Sequence, residues 1–308
     1  MSETDDDGSS DVQQVRSFNR TVTDRVGALT DEYLGRARAL GEARVLWEIG
    51  RDGTEVRALR ARLHLDSGYL SRVLRSLERD GLVVVDTDDR DRRVRTVRLT
   101  ARGRSERGLL DRRSDALARS LLEPLDEHQR RQLVDAMARV ERLLTAALVT
   151  IVPVDPSHPD AVHCLESYFA ELDRRFPAGF EEGRSRTYAL DDVRPPHGVV
   201  LVAYLDGKPI GAGSLKSGGN KPPEIKRLWV HPDARGLGVG RRLLESLEER
   251  AARTGSRTVR LDTNAALTEA IALYRATGYV EVSPFNNETY ADFWFSKRLT
   301  KRQVGYRG

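Results

Sequence analysis

A single cysteine, Cys164, stands among 308 residues, so no intrachain disulfide can form and a cysteine-based zinc site is not expected. The six histidines do not cluster. His158, His163, His197 and His231 share no metal-ligand spacing with one another or with Cys164, and no metal is expected. No run of about twenty apolar residues is present to span a bilayer. The N-terminus is acidic, whereas a secretory leader is basic and then apolar. These absences predict a cytoplasmic protein with no membrane partner. No nucleophilic triad is visible, and no Gly-Lys-Ser/Thr marks a nucleoside triphosphate loop. Nor does one sign of charge dominate. The 51 Lys and Arg against 47 Asp and Glu leave +4, too mild by itself to imply a nucleic-acid partner, so the placement of the charge matters more than its sum.

The length allows about two domains, each with its own core. The most informative stretch is Leu228-Trp229-Val230-His231-Pro232-Asp233-Ala234-Arg235-Gly236-Leu237-Gly238-Val239-Gly240-Arg241. An apolar, strand-like run ends at His-Pro, a basic glycine-rich loop follows, and Arg242-Leu243-Leu244 begins an amphipathic helix. Glycines let the backbone turn N–H groups inward, and the helix dipole adds positive potential there, so a pyrophosphate would be held. An ordinary glycine turn between strand and helix is the plainer alternative, and the flanking residues decide against it.

Residues 1–10 are acidic and small and are expected to be a disordered tail. Val12, Val15, Phe18, Val22, Val26 and Leu29 recur at threes and fours, which predicts a helix over 11–29 whose apolar stripe needs a partner. Three short helices follow: Glu42–Ile49, Glu55–Leu63, and a third that Asp66 or Ser67 can cap and Gly81 ends. Leu70, Val73, Leu74 and Leu77 form the inner face of the third. Two short helices and a tight turn suit a helix-turn-helix as well as a generic bundle. Strands 82–85 and 94–99 then enclose a charged tip with Arg90, Arg92 and Arg93, a hairpin wing placed for phosphates or a narrow minor groove. Leu70-Ser71-Arg72-x-Leu74-x-x-Leu77-Glu78-x-x-Gly81-Leu82, Asp88-x-Arg90-Asp91-x-Arg93 and Leu99-Thr100-x-x-Gly103 together resemble the winged helix-turn-helix of the MarR family of transcriptional regulators, over roughly residues 11–150. The resemblance implies a mostly helical domain whose recognition helix, 67–79, enters the major groove. Ser67, Tyr69, Ser71, Arg72 and Arg75 would meet the DNA there, with Arg90, Arg92 and Arg93 in the minor groove. It also implies a homodimer through the first and last helices of the domain, on a pseudo-palindromic double-stranded operator. Helices over 100–122 and 126–150 would close the domain, the second carrying Leu133, Met137, Val140, Leu143 and Leu144.

A proline-rich joint near 150–160 opens a second domain, 151–308. Its pattern is a strand, a helix over 161–176, a loop over 177–197, and strands 198–204 and 209–215 joined at Asp206-Gly207. Strand 224–230, helix 241–253, strand 258–261, helix 267–277 and strands 279–282 and 291–297 complete it. Strands alternating with helices, with hairpins at each end, predict a mixed α/β sheet covered by helices. The segment Arg235-x-x-Gly238-x-Gly240, with Ala270-Ile271-Ala272-Leu273-Tyr274-x-x-x-Gly278-Tyr279, resembles the GNAT N-acetyltransferase superfamily. The resemblance implies acetyl-CoA as acyl donor, its pyrophosphate on Arg235, Gly236, Leu237, Gly238, Val239, Gly240 and Arg241. Its pantetheine arm would lie along Leu228, Trp229 and Val230, with Asn264 nearby. It implies Glu224 as a general base through water and Tyr274 as the acid that protonates the leaving thiolate. Leu267 departs from the asparagine that many members carry there, which leaves one contact to the arm missing or supplied by Asn264. Cys164 falls in the amphipathic pattern of helix 161–176 and is read as packing. The whole reads as a two-domain α+β chain: a regulator joined to an N-acetyltransferase that acts by direct transfer on a small amine or amino acid. The alternative is a regulator whose second domain only senses acyl-CoA or an amine.

Overall fold

The computed structural model describes residues 6–28, 33–35, 38–50, 52–87, 94–177, 179–181, 189–218 and 221–299. The chain divides into two compact units, 1–135 and 136–308.

In the first unit, α1 (Asp6–Arg25) leaves Val12, Val15, Phe18 and Val22 exposed. It begins inside the stretch expected to be a disordered tail. Helices α2 (Leu40–Glu48), α3 (Val56–Arg62) and α4 (Ser67–Arg79) surround one core of Ala43, Val45, Leu46, Leu59, Leu70, Val73, Leu74 and Leu77. Asp66 caps α4 by accepting from the Gly68 and Tyr69 amides at 2.8 and 3.1 Å. Arg38 joins Glu42 to Asp80. Strands β2 (Val83–Thr87) and β3 (Arg95–Leu99) pair antiparallel. A two-residue strand β1 (Thr54–Glu55), too short to show in the sequence pattern, pairs with the other edge of β3. Helix α5 (Ala101–Leu122) follows, and α6 (Glu127–Ala147), which runs across the division between the units, buries none of its residues.

Among the described residues of the second unit, seven strands form one sheet in the order β4-β5-β6-β7-β8-β10-β9. They are β4 (Thr150–Val154), β5 (Gly198–Leu205), β6 (Lys208–Lys216), β7 (Glu224–Val230), β8 (Thr258–Thr263), β9 (Val280–Glu281) and β10 (Phe293–Arg298). Every pairing is antiparallel except β7 with β8. Strand alternation splits the apolar residues between two faces. Leu201, Ala203, Ile225, Val259 and Leu261 face α8 (Val239–Arg253) and α9 (Thr268–Ala276), while Val200, Val202, Ala212 and Trp229 face α7 (Pro159–Arg175). The last strand inserts between β8 and β9, an order that strand-by-strand reading does not reveal.

Candidate active site and nucleic-acid interface

The site begins with a break in the sheet. Strand β7 runs parallel to β8, but they share one register pair, Glu224 with Arg260. A bulge against β6 lies at Arg227 and Leu228, opposite Gly213, and Arg227 takes the left-handed φ of 53°. Bulges bend a strand and re-aim it. Beyond Glu224, β7 therefore parts from β8, and the β8-facing backbone of Leu228–Val230 is left without a partner strand. An extended arm can add itself to such an edge.

The strand leads into the glycine loop. His231 donates its amide to Ile210, and its Nδ1 accepts from Asp233. Gly236 and Gly238 have φ of 84° and 74°, and each faces open space where a side chain would project. Gly238 is the N-cap of α8, so the first N–H groups of that helix have no intrahelical partner and point outward with the dipole. A cleft of about 510 Å³ lies before them. Leu228, Trp229, Val230, Arg235, Gly236, Gly238, Val239, Gly240 and Arg241 line it, together with Leu267. Leu237 instead packs on the core. The dimensions, the positive-φ glycines and the exposed N–H groups fit a diphosphate with a flexible arm.

Arg235 does not reach openly into this space. Its Nη2 donates to both oxygens of Glu171 on α7 at 2.7 and 2.6 Å, and its Nε to the Val230 carbonyl at 3.2 Å. Glu171 is buried and also accepts from the Trp229 indole at 2.9 Å. Burial pushes this carboxyl up, but the bonds from Arg235 and Trp229 outweigh it and hold the group below the usual range. Glu171 escaped the sequence reading because its partner lies 64 residues away and no spacing links the two.

A smaller cavity of about 50 Å³ adjoins the cleft through Tyr168, Leu172 and Leu267. Phe169, Phe176, Phe180 and Tyr290 enclose it, with ring centroids 5.0 to 6.1 Å apart. Arg227, whose guanidinium lies 5.0 Å over Phe169, also lines it, as do Asp262 and Glu288. Asn264 lines this cavity and not the larger cleft. Its Nδ2 donates to the Tyr290 carbonyl and its Oδ1 accepts from Ala266, so it holds the loop of Tyr290 in place.

Neither expected catalytic residue lines the cleft. Glu224 accepts from Arg260 at 2.6 Å and pairs with Lys226 at 3.2 Å, and buried Lys226 also bonds Asp262. Burial raises the Glu224 carboxyl, but Lys226 and Arg260 hold it below its ordinary value of 4.5. Tyr274 is buried against Tyr279 and Phe295. Burial, reinforced by the Asp262 charge, pushes its phenol far above 10. It stays protonated at neutral pH, as a proton donor must.

In the first unit, Leu70, Val73, Leu74 and Leu77 turn inward and leave Ser67, Tyr69, Arg72 and Arg75 exposed and Ser71 half-buried on the other faces of α4. Tyr69 reaches back to α2, where its hydroxyl lies against Gly41. Arg90, Arg92 and Arg93 lie outside the described residues. On the wing strands Arg95 and Arg98 are exposed, and Arg98 pairs with Asp86 at 3.5 Å. Among the described residues no grouping of His, Cys, Asp and Glu could hold a metal, and no helix is long and apolar enough to cross a membrane.

A splayed parallel strand pair, a glycine loop at a helix N-terminus and an adjoining small cavity form the site of the second unit, and a winged helix precedes it in the chain. Residues 165–279 match the model of the acetyltransferase (GNAT) family, and residues 35–94 that of the MarR family. An IAA acetyltransferase from Azospirillum brasilense is 34% identical over 140 residues, 44% of this chain and 88% of that one. An uncharacterized N-acetyltransferase from Schizosaccharomyces pombe is 34% identical over 93 residues, 30% of this chain and 57% of that one. Of solved structures, a GNAT-family acetyltransferase from Elizabethkingia anophelis with acetyl-CoA bound is 17% identical, with a TM-score of 0.37 over 49% of this chain and 99% of that one. The chain belongs to the GNAT acetyltransferase family and carries a MarR-family DNA-binding domain ahead of its acetyltransferase domain.

Proposed function

We propose that this chain is bifunctional, a homodimeric transcriptional regulator over residues 11–150 and an acetyl-CoA-dependent N-acetyltransferase over 151–308. The observation that carries the enzymatic half is the parting of β7 from β8 directly before the glycine loop, with a cleft of about 510 Å³ bounded by the end of β7, the loop, α7 and α9. The Leu228–Val230 edge takes the pantetheine arm, and the loop and first turn of α8 take the diphosphate. The acceptor enters the smaller cavity beside Asp262. Its amine nitrogen bonds the thioester carbonyl carbon as the C–S bond breaks, one proton leaves the amine, and the sulfur gains one. A cavity of about 50 Å³ admits only the amine end of an acceptor, and the likeness to an IAA acetyltransferase supports a small molecule or amino acid in that role.

Tyr274 is assigned the proton that returns to sulfur on its motif position and its protonated phenol; because it lies behind the cleft lining, this role requires the seated thioester arm to bring the sulfur to its hydroxyl. Glu224, already holding two cations, is too weak a base to strip an ammonium alone. Its role here is to fix Lys226 and, through it, Asp262. Transfer is direct, because the one thiol of the chain is buried against the sheet and pushed up to about 11 by that burial. The regulatory half rests on α4 and the wing, and the dimer on the exposed apolar stripes of α1 and α6.

The test is release of CoA thiol by the full-length protein from acetyl-CoA with a panel of primary amines and amino acids. Tyr274→Phe should lower kcat by about a hundredfold or more while acetyl-CoA still binds. Acetyl-CoA binding without turnover for any acceptor would instead favour the sensing reading. Duplex DNA binding whose log affinity falls steeply with log salt would support the regulatory half.

A further inference from the structure

Two carboxylates, Glu171 and Glu269, line the cofactor cleft where an anion is least welcome, and of the two Glu171 is the buried one. Glu171, on the penultimate turn of α7, is 7% exposed and lines the same cleft as the glycine loop. A buried carboxylate facing a diphosphate site would repel the ligand unless its charge were matched. It is matched by Arg235, the first residue of the glycine loop, at 2.7 and 2.6 Å, with Arg175 at 3.5 Å behind it. Arg175 in turn bonds Glu269 at 2.7 Å. The same carboxylate holds the Trp229 indole at 2.9 Å.

These contacts bracket one short segment. Trp229 lies on the strand edge offered to the thioester arm, and Arg235 opens the loop offered to the diphosphate. Between them the chain turns through His231–Ala234, and beyond Arg235 stand two glycines at positive φ, which resist collapse poorly. Arg235 also returns to the Val230 carbonyl, so its guanidinium closes the turn on the end of the strand. Such a segment keeps its N–H groups aimed only if something outside it fixes both ends.

We propose that Glu171 is the positioning residue of the acetyl-CoA site, clamping Trp229 and Arg235 from α7 so that the strand edge and the loop N–H groups face the cleft together. This rests on the cleft being the acetyl-CoA site. In this arrangement Arg235 serves the cofactor through Glu171 and the loop, and the backbone and the α8 dipole carry the phosphate contact.

The test is calorimetric titration of the full-length protein with acetyl-CoA for wild type, Glu171→Gln, Arg235→Gln and the double variant, with thermal unfolding of each sample. Glu171→Gln keeps the shape and removes the charge. Each single variant should weaken acetyl-CoA binding roughly tenfold, the size expected for loss of a charged hydrogen bond. The double variant should be no weaker than the worse single, because both act through one clamp. An unchanged Glu171→Gln affinity overturns the assignment, as does a double variant whose losses multiply. A lowered unfolding temperature with unchanged affinity also overturns it, since that is a role in stability alone. A wild-type chain that binds no acetyl-CoA overturns the proposed function and this role together, whereas wild-type binding that Glu171→Gln leaves intact overturns this role only.

Discussion

At the scale of single residues, charge and burial set what each group can do. The Cys164 thiol, pushed to about 11 by burial and the nearby Asp160 charge, is about one part in a thousand thiolate at pH 8. Native protein should therefore react negligibly with a disulfide reagent at pH 8, and protein unfolded in guanidinium should react at once; equal rates would contradict the packing role. Acid sensitivity follows from the carboxylates. Arg175 holds Glu269 at about 2, and Glu171 and Glu224 are also held below their ordinary 4.5. Carboxyls depressed in the folded state bind protons more readily when unfolded. Their stabilisation is complete above pH 4.5 and is lost as pH falls from there toward 2. The urea midpoint of the acetyltransferase domain should stay level from pH 7 to about 5 and then drop. A midpoint constant down to pH 3 would show that these ion pairs add nothing.

At the scale of elements, close approach decides what substitution is tolerated. Gly103 lies in the first turn of α5, and a Cβ there would stand 1.9 Å from the Leu82 carbonyl oxygen. Thr100 tightens the same junction, donating to the Gly81 carbonyl at 2.7 Å and accepting from the Gly103 amide at 3.0 Å. Because the obstructing atom is backbone, Gly103→Ala should cost about 1–3 kcal/mol or more. Urea unfolding followed by circular dichroism would measure it, and a loss under about 0.5 kcal/mol, the scatter of surface changes, would refute the clash. The Thr-x-x-Gly pattern was visible in the sequence, but its steric cause was not. Helices α4 and α8 were legible because apolar spacing and local capping are properties of neighbouring residues, and of the two candidate caps, Asp66 and Ser67, it is Asp66 that caps α4. The glycine loop was legible for the same reason. What escaped was long-range. Two-residue β1 exists only by pairing with β3. The insertion of β10 between β8 and β9 is a choice among sheet edges. Asn264 and Tyr274 carry motif positions but sit outside the cleft lining, because a motif records type and spacing while packing decides which way a side chain turns.

At the scale of the whole molecule, the cores are distinct. One is built from residues between Ala43 and Leu110, and the others from residues between Val149 and Phe295. Each holds enough buried Leu, Val and Ile to unfold cooperatively on its own. Within the second unit, Arg242 donates from α8 to the Ala146 and Val149 carbonyls at 2.7 Å each, which ties the last turn of α6 to the helix that follows the glycine loop. Calorimetry of the intact protein should therefore resolve two transitions. Acetyl-CoA at about a hundred times its dissociation constant stabilises the state it binds by about 2.7 kcal/mol. In a domain of this size that raises one midpoint by roughly 2–4 °C. Operator duplex should raise the other. Tryptophan emission can assign the two, because Trp229 and Trp294 lie in the second unit and Trp47 in the first. Two midpoints that answer separately to the two ligands would mean that each function is carried by its own core. A single transition unmoved by acetyl-CoA would remove the basis for the enzymatic reading.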